Sequence, residues 1–126
     1  SAVSAKPEVR AFLLDMQRRL ARENNVIMDG RDIGTVVLPD ATLKFFVTAS
    51  VDERAMRRYK ELKQKGMDVN FDDIYKDIET RDYYDSHREI APLKPAADSI
   101  MFDTTGNTLE ESIEKLIKII KERLSI

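Results

Sequence analysis

The sequence predicts an α/β fold of short parallel strands separated by helices, and three observations carry that reading. Three apolar runs, Val26–Met28, Leu43–Val47 and Ser99–Phe102, each lie between segments of helical length. The intervening segments repeat apolar residues at helical spacing and open on capping residues. Each apolar run also ends in polar residues: Asp29-Gly-Arg-Asp32 after the first, Thr48-Ala-Ser50 after the second, Asp103-Thr-Thr-Gly106 after the third. In open α/β sheets the carboxyl ends of the strands form the edge where ligands bind.

The elements follow in order. Pro7 to Asn24 reads as a helix, with Pro7 in its first turn and Val9, Phe12, Leu13, Met16 and Leu20 on one face. Strands are expected over 26–29, 43–48 and 99–103. Ser50-Val-Asp-Glu53 has the form of a capping box and opens a helix that runs to about Gly66. Asn70-Phe-Asp-Asp73 caps another, through roughly Arg88. Thr108-Leu-Glu-Glu111 opens a terminal helix with Leu109, Ile113, Leu116, Ile117, Ile120 and Leu124 at amphipathic spacing. Segments 66–70 and 91–95 read as connections. No repeat, low-complexity tract or clear domain boundary interrupts the chain.

Composition bounds the function. At 126 residues the chain is one domain's worth, or part of a larger domain. Lysine and arginine total 21 against 23 aspartate and glutamate, so no bulk positive field points to nucleic acid. The absence of cysteine excludes disulfides and thiolate metal sites, and a single histidine excludes a histidine-rich one. No apolar stretch is long enough to span a bilayer, and the start does not resemble a signal peptide. By elimination the expected location is the cytoplasm.

The polar residues suggest a phosphorylated ligand. Near the strand tips lies the helix bearing Arg54, Arg57 and Arg58. The planar arginine fork suits phosphate because it makes paired, charge-assisted hydrogen bonds. Together with a strand-end carboxylate, such arginines point to a phosphate ester, with room for a metal ion. In Arg81-Asp-Tyr-Tyr-Asp-Ser-His-Arg88, residues Arg81, Asp85 and Arg88 share one helix face. That face is either a solvated ion-paired surface or a grip for a polar ligand, and spacing does not separate the two. Tyr83 and Tyr84 read as packing residues, and His87 as surface.

Asp29-Gly-Arg-Asp-Ile-Gly-Thr35, followed by Val-Val-Leu-Pro-Asp40, resembles the central signature of bacterial cytidylate kinases. Arg81-Asp-x-x-Asp85-x-x-Arg88, Ala91-Pro-Leu-Lys-Pro-Ala-Ala-Asp98 and Asp103-Thr-Thr105 match the same family, as does the opening Ser1, Val3-Ser4 and Pro7-x-Val-Arg10. Any one motif is weak; together, in order and over essentially the whole chain, they are specific. The resemblance implies a phosphate-loop nucleoside monophosphate kinase fold, with a monophosphate-binding segment over about 1–25, a core over 26–60 and 96–126, and a lid-like segment over 61–90. It implies transfer of the γ-phosphoryl group of ATP to CMP or dCMP, with Mg²⁺ accompanying ATP.

Roles carry over by position. Ser1, Arg10 and Asp32 match residues that read cytosine; arginine and serine donate to its acceptors, and aspartate accepts from its amine. Arg81, Asp85 and Arg88 match residues that hold the pentose and the monophosphate. Arg31 resembles a phosphate-binding arginine. Asp29 stands where a carboxylate helps organise Mg²⁺ through water. Arg54, Arg57 and Arg58 stand where such kinases place arginines around ATP. Arg31, Arg81, Arg88 and Asp29 are the expected catalytic set.

One part is missing. The chain's glycines, Gly30, Gly34, Gly66 and Gly106, are too widely separated to build the Gly-x-x-x-x-Gly-Lys-[Ser/Thr] loop that cradles ATP phosphates. The resemblance places that loop upstream, on a central strand between those expected at 26–29 and 43–48. The expectation is therefore a segment inactive without its phosphate-loop partner, and not a stable monomer alone, because strands without neighbours leave backbone groups unpaired. Two other readings stand beside it: a non-catalytic nucleotide-binding module, and a UMP-preferring relative. Against the last, a uracil carbonyl would face the Asp32 carboxylate.

Overall fold

The computed structural model describes residues 6–126. Its elements run α1 (Pro7–Glu23), a π-helical turn (Ile33–Val37), β1 (Phe45–Thr48), α2 (Val51–Gln64), α3 (Phe71–His87), β2 (Ile100–Asp103) and α4 (Leu109–Leu124).

The helix starts obey the local chemistry. Pro7 sits in the first turn of α1, where its missing N–H costs nothing. The Ser50 side chain accepts from the Glu53 N–H at 3.2 Å. That capping box is half-formed, because the Glu53 carboxylate turns instead to Arg57 and to the Gly106 N–H. Asn70 caps α3 by accepting from the N–H groups of Asp72 and Asp73. At α4 the box is complete, with Thr108 and Glu111 bonded reciprocally.

Helix α2 ends as its glycine predicts. Gly66 takes φ +78°, a conformation costly for a side-chain-bearing residue. The Gly66 N–H donates to Lys63 O and the Met67 N–H to Leu62 O. This pair of bonds satisfies the last carbonyls and turns the chain into the loop before α3. The α2–α3 hairpin then closes on its own core. Ala55, Leu62 and Ile74 are buried, with Tyr59, Val69, Phe71, Tyr75 and Ile78 packed around them. The Tyr59 and Phe71 rings meet edge to face at 6.1 Å.

Strands β1 and β2 pair in parallel, with Phe45 opposite Ile100 and Thr48 opposite Asp103. Phe45 and Phe102 meet edge to face at 6.4 Å. The register sets the polar tips side by side, so Thr48, Ser50, Thr104 and Thr105 link the two carboxyl ends. The Thr104 N–H donates to Thr48 O, and the Ser50 N–H to Thr105 Oγ1.

The strand expected over 26–29 does not form. Residues 26–29 have no regular secondary structure, and Ile27 is 99% exposed. A strand exists only through hydrogen bonds to a neighbour, and the described sheet has two strands, β1 and β2. Asp29 therefore lies in a coil before the π-helical turn rather than at a strand tip. The other two strands are shorter than expected, and Arg88 caps α3 instead of extending it. The amphipathic faces of α1 and α4 lie largely open: neither helix contains a buried residue, and Phe12 is 68% exposed. Tyr83 and Tyr84 are exposed rather than packed; Tyr83 stacks on the His87 ring at 4.0 Å.

Candidate functional site

Two pairs of distant segments meet at the polar turn 29–32. Arg31, in the turn, donates from Nε to Asp85 Oδ2 on α3 at 2.6 Å. Arg81 lies one helical turn before Asp85 and approaches the same oxygen at 4.0 Å. One carboxylate thus faces two guanidinium groups, that of Arg81 on its own helix and that of Arg31, 54 residues away from it in the chain. Beside them, Asp32 faces Arg10 of α1 at 3.5 Å. The π-helical turn keeps this arrangement against α1, because Arg18 donates to the carbonyls of Val36 and Val37 at 2.9 and 3.0 Å. Sequence periodicity predicts no π-helical turn; its bonds run from the Val37 N–H to Asp32 O and from the Leu38 N–H to Ile33 O.

A cleft of about 130 Å³ runs along the turn, lined among others by Asp29, Gly30, Arg31, Gly34, Lys44 and Lys94. Asp29 lies in it and makes no ion pair among the described residues. Among the described residues, no three acidic, histidine or cysteine side chains gather to cage a metal. A lone carboxylate such as that of Asp29 could meet a hard cation only through water or with oxygens supplied by a ligand.

Other expected residues are not brought to this cluster. Arg88 does not reach Asp85; its Nε donates to Ala91 O at 2.7 Å, closing the loop after α3. Arg54 spans α2 and α3, with both terminal nitrogens on the two Asp82 oxygens at 2.9 and 2.7 Å. The Asp82 hydrogen bond raises the Arg54 pKa further above its ordinary value, against some desolvation. Arg57 donates to the Thr104 hydroxyl and carbonyl at the tip of β2. Arg58 pairs with Glu61 at 3.2 Å on the outer face of α2. Ser1 lies outside the described residues.

Two residues that the sequence did not single out matter here. Asp82 is the partner that occupies Arg54. Lys44 is buried, and its ammonium meets Asp98 Oδ1 at 2.8 Å and the Pro39 carbonyl. Hydrogen bonding to Lys44 holds the Asp98 carboxyl below its usual range. The Thr105 hydroxyl and N–H do the same for Asp103. A lone charge in the run Leu43-Lys-Phe-Phe-Val47 was the available signal for Lys44.

The family model for cytidylate kinase matches residues 1–122. The chain is 52% identical over 122 residues to a cytidylate kinase of Clostridium botulinum, covering 97% of this chain and 56% of that protein. It is 56% identical over 123 residues to one of Streptococcus agalactiae, covering 98% of this chain and 52% of that protein. A third, from Alkaliphilus oremlandii, is 56% identical over 121 residues, with 96% and 56% covered. The chain thus spans about half the length of the curated relatives it matches. The family model spans nearly the whole chain and the relatives are more than half identical to it, and on that ground the chain belongs to the cytidylate kinase family.

Proposed function

We propose that this chain is the monophosphate-binding and lid-bearing part of a (d)CMP kinase, which transfers the γ-phosphoryl group of ATP to CMP or dCMP once joined to a phosphate-loop segment. The observation that carries this reading is the convergence of Arg31 and Arg81 on Asp85, one residue away from the Arg10–Asp32 pair.

The chemistry asks little beyond positioning and charge. Asp32 accepts from the cytosine amine, and Arg10 donates to the ring acceptors. Asp85 accepts from a sugar hydroxyl, while Arg31 and Arg81 turn toward the monophosphate. The CMP phosphate oxygen then attacks the γ-phosphorus in line; one P–O bond forms as the bond to the ADP oxygen breaks. Arg88, Arg54 and Arg57 would supply charge around the transferring group only on release from their present partners Ala91, Asp82 and Thr104, and Asp29 would hold water on a Mg²⁺ accompanying ATP, whose charge would offset that of the phosphates. Helix α3 carries Arg81 and Asp85, so movement of the 61–90 segment couples closure to substrate grip and excludes water.

The test is a coupled CMP-plus-ATP assay with the intact mass of the same sample. CMP-dependent ADP formation by a protein larger than this chain supports the reading. No turnover but saturable CMP binding would favour a binding module instead, and neither turnover nor binding overturns both. Within the active protein, Asp32→Ala should lower the preference for CMP over UMP by about tenfold to a hundredfold, the worth of one hydrogen bond to a charged group. Unchanged discrimination would remove Asp32 from base recognition.

A further inference from the structure

Lys44 joins three segments: the π-helical turn and its exit, the start of the sheet, and the loop returning from α3. Its side chain is 7% exposed, deep for an ammonium. The ammonium donates to Asp98, at the end of the loop returning from α3, and to the Pro39 carbonyl, just after the π-helical turn. Its aliphatic stem packs on the backbone of Gly34, where an added Cβ would stand 3.4 Å from Lys44 Cδ. Its own carbonyl accepts from the Ile100 N–H at 2.8 Å, starting the β1–β2 ladder.

The same segments hold the site from both sides. On one side, Gly34 lies in the π-helical turn that follows Arg31 and Asp32. On the other, the return loop is tied to α3: the Leu93 N–H donates to Asp85 O at 2.6 Å, and Arg88 donates to Ala91 O. The Arg31–Asp85 bond closes the ring. The buried Lys44 ammonium resists displacement, since leaving it unpaired is costly, whereas the exposed Asp98 carboxylate can be met by water.

We propose that Lys44 is a positioning residue for the nucleotide site: with its ammonium held by Asp98 and the Pro39 carbonyl, it fixes the 29–32 turn relative to the Asp85 end of α3. This rests on the kinase reading above. A small misplacement of binding groups costs far more in affinity and rate than in fold.

The experiment uses the complete protein, with Lys44→Met, Lys44→Arg and Asp98→Asn. For Lys44→Met the KM for CMP should rise about tenfold or more while that for ATP stays within about twofold. Lys44→Arg, which keeps the charge and the donors, should recover most of the loss. By hydrogen exchange, amides of 91–98 should lose protection while those of α2 keep theirs. Asp98→Asn should show the same pattern at smaller amplitude, and it stands in if Lys44→Met does not fold. An unchanged KM for CMP overturns the proposal. So does a parallel rise for both substrates with exchange quickened everywhere, which marks general destabilisation. If the wild-type protein binds CMP without turnover, Kd replaces KM. If it does not bind CMP, the kinase reading fails, and exchange alone judges Lys44: selective loss at 91–98 supports the strut, uniform or no loss overturns it.

Discussion

The α2–α3 hairpin and helix α4 are both amphipathic, yet their apolar faces meet different fates. In the hairpin, Ala55, Leu62 and Ile74 are buried against each other within a short stretch of chain. In α4, Leu109, Ile113 and Ile117 stay exposed although the stripe is regular and the capping box complete. Local chemistry is thus satisfied in both, and what differs is whether a covering surface is present among the described residues. A helix draws most of its stability in a protein from packing its apolar face rather than from propensity. The hairpin is self-sufficient in this respect and α4 is not.

The largest expected effect tests that difference directly. Ile74→Ala should cost about 2–5 kcal/mol, as buried large-to-small changes do, read from the exchange of hairpin amides. Ile113, 46% exposed, should cost about 1 kcal/mol or less when changed to Ala, read from α4 amides. Equal losses at the two sites would break the comparison. A larger Ile113 cost when the chain is joined to the proposed phosphate-loop segment would sharpen it, since the added part would then be what covers α4.

A smaller effect concerns how the hairpin is tied to β1. Arg54 reaches from α2 to Asp82 and also donates to the Ala49 carbonyl at the end of β1. A double-mutant cycle on Arg54 and Asp82 should return about 1 kcal/mol, because the fork is bidentate but still partly solvated. A coupling near zero would mean that the hairpin core alone fixes its helices.

The smallest effect is a pH dependence. Asp98 has its pKa lowered by Lys44, and Glu61 has its own lowered by Lys65 and Arg58. For a depressed carboxyl the contribution is present above the unfolded pKa, near 4, and is lost as pH falls through the lower folded value. Acidification below about pH 4 should therefore loosen the 91–98 loop by releasing Asp98 from Lys44. Lys44→Met should flatten that dependence at the loop and leave it unaltered around Glu61. An unchanged acid response of the loop in that variant would place its cause elsewhere.

Much of the secondary structure was legible because it is local. Ser50, Asn70 and Thr108 cap the helices that their spacing announces, and Gly66 closes α2. The run at 26–29 was misread because a strand is a relation between segments, and an apolar pattern does not state whether its partner is there. The residues of the candidate cluster, Arg31, Asp32, Arg10, Arg81 and Asp85, were legible as a list but not as a set of contacts. Arg54 and Arg88 show why: each is held by a partner, Asp82 or the Ala91 carbonyl, that one-dimensional spacing does not connect to it.

By itself the sequence determined the helices, their caps, the two parallel strands and the family, since these rest on local propensity and on ordered motifs. Only the tertiary structure decided that Asp85 draws Arg31 across 54 residues, that Asp82 occupies Arg54, and that a buried Lys44 braces both sides of the site. The physical reason is the range of the interactions. Capping and periodicity act within one or two helical turns, whereas an ion pair or a buried charge is satisfied by whichever group the folded chain brings within about 3 Å.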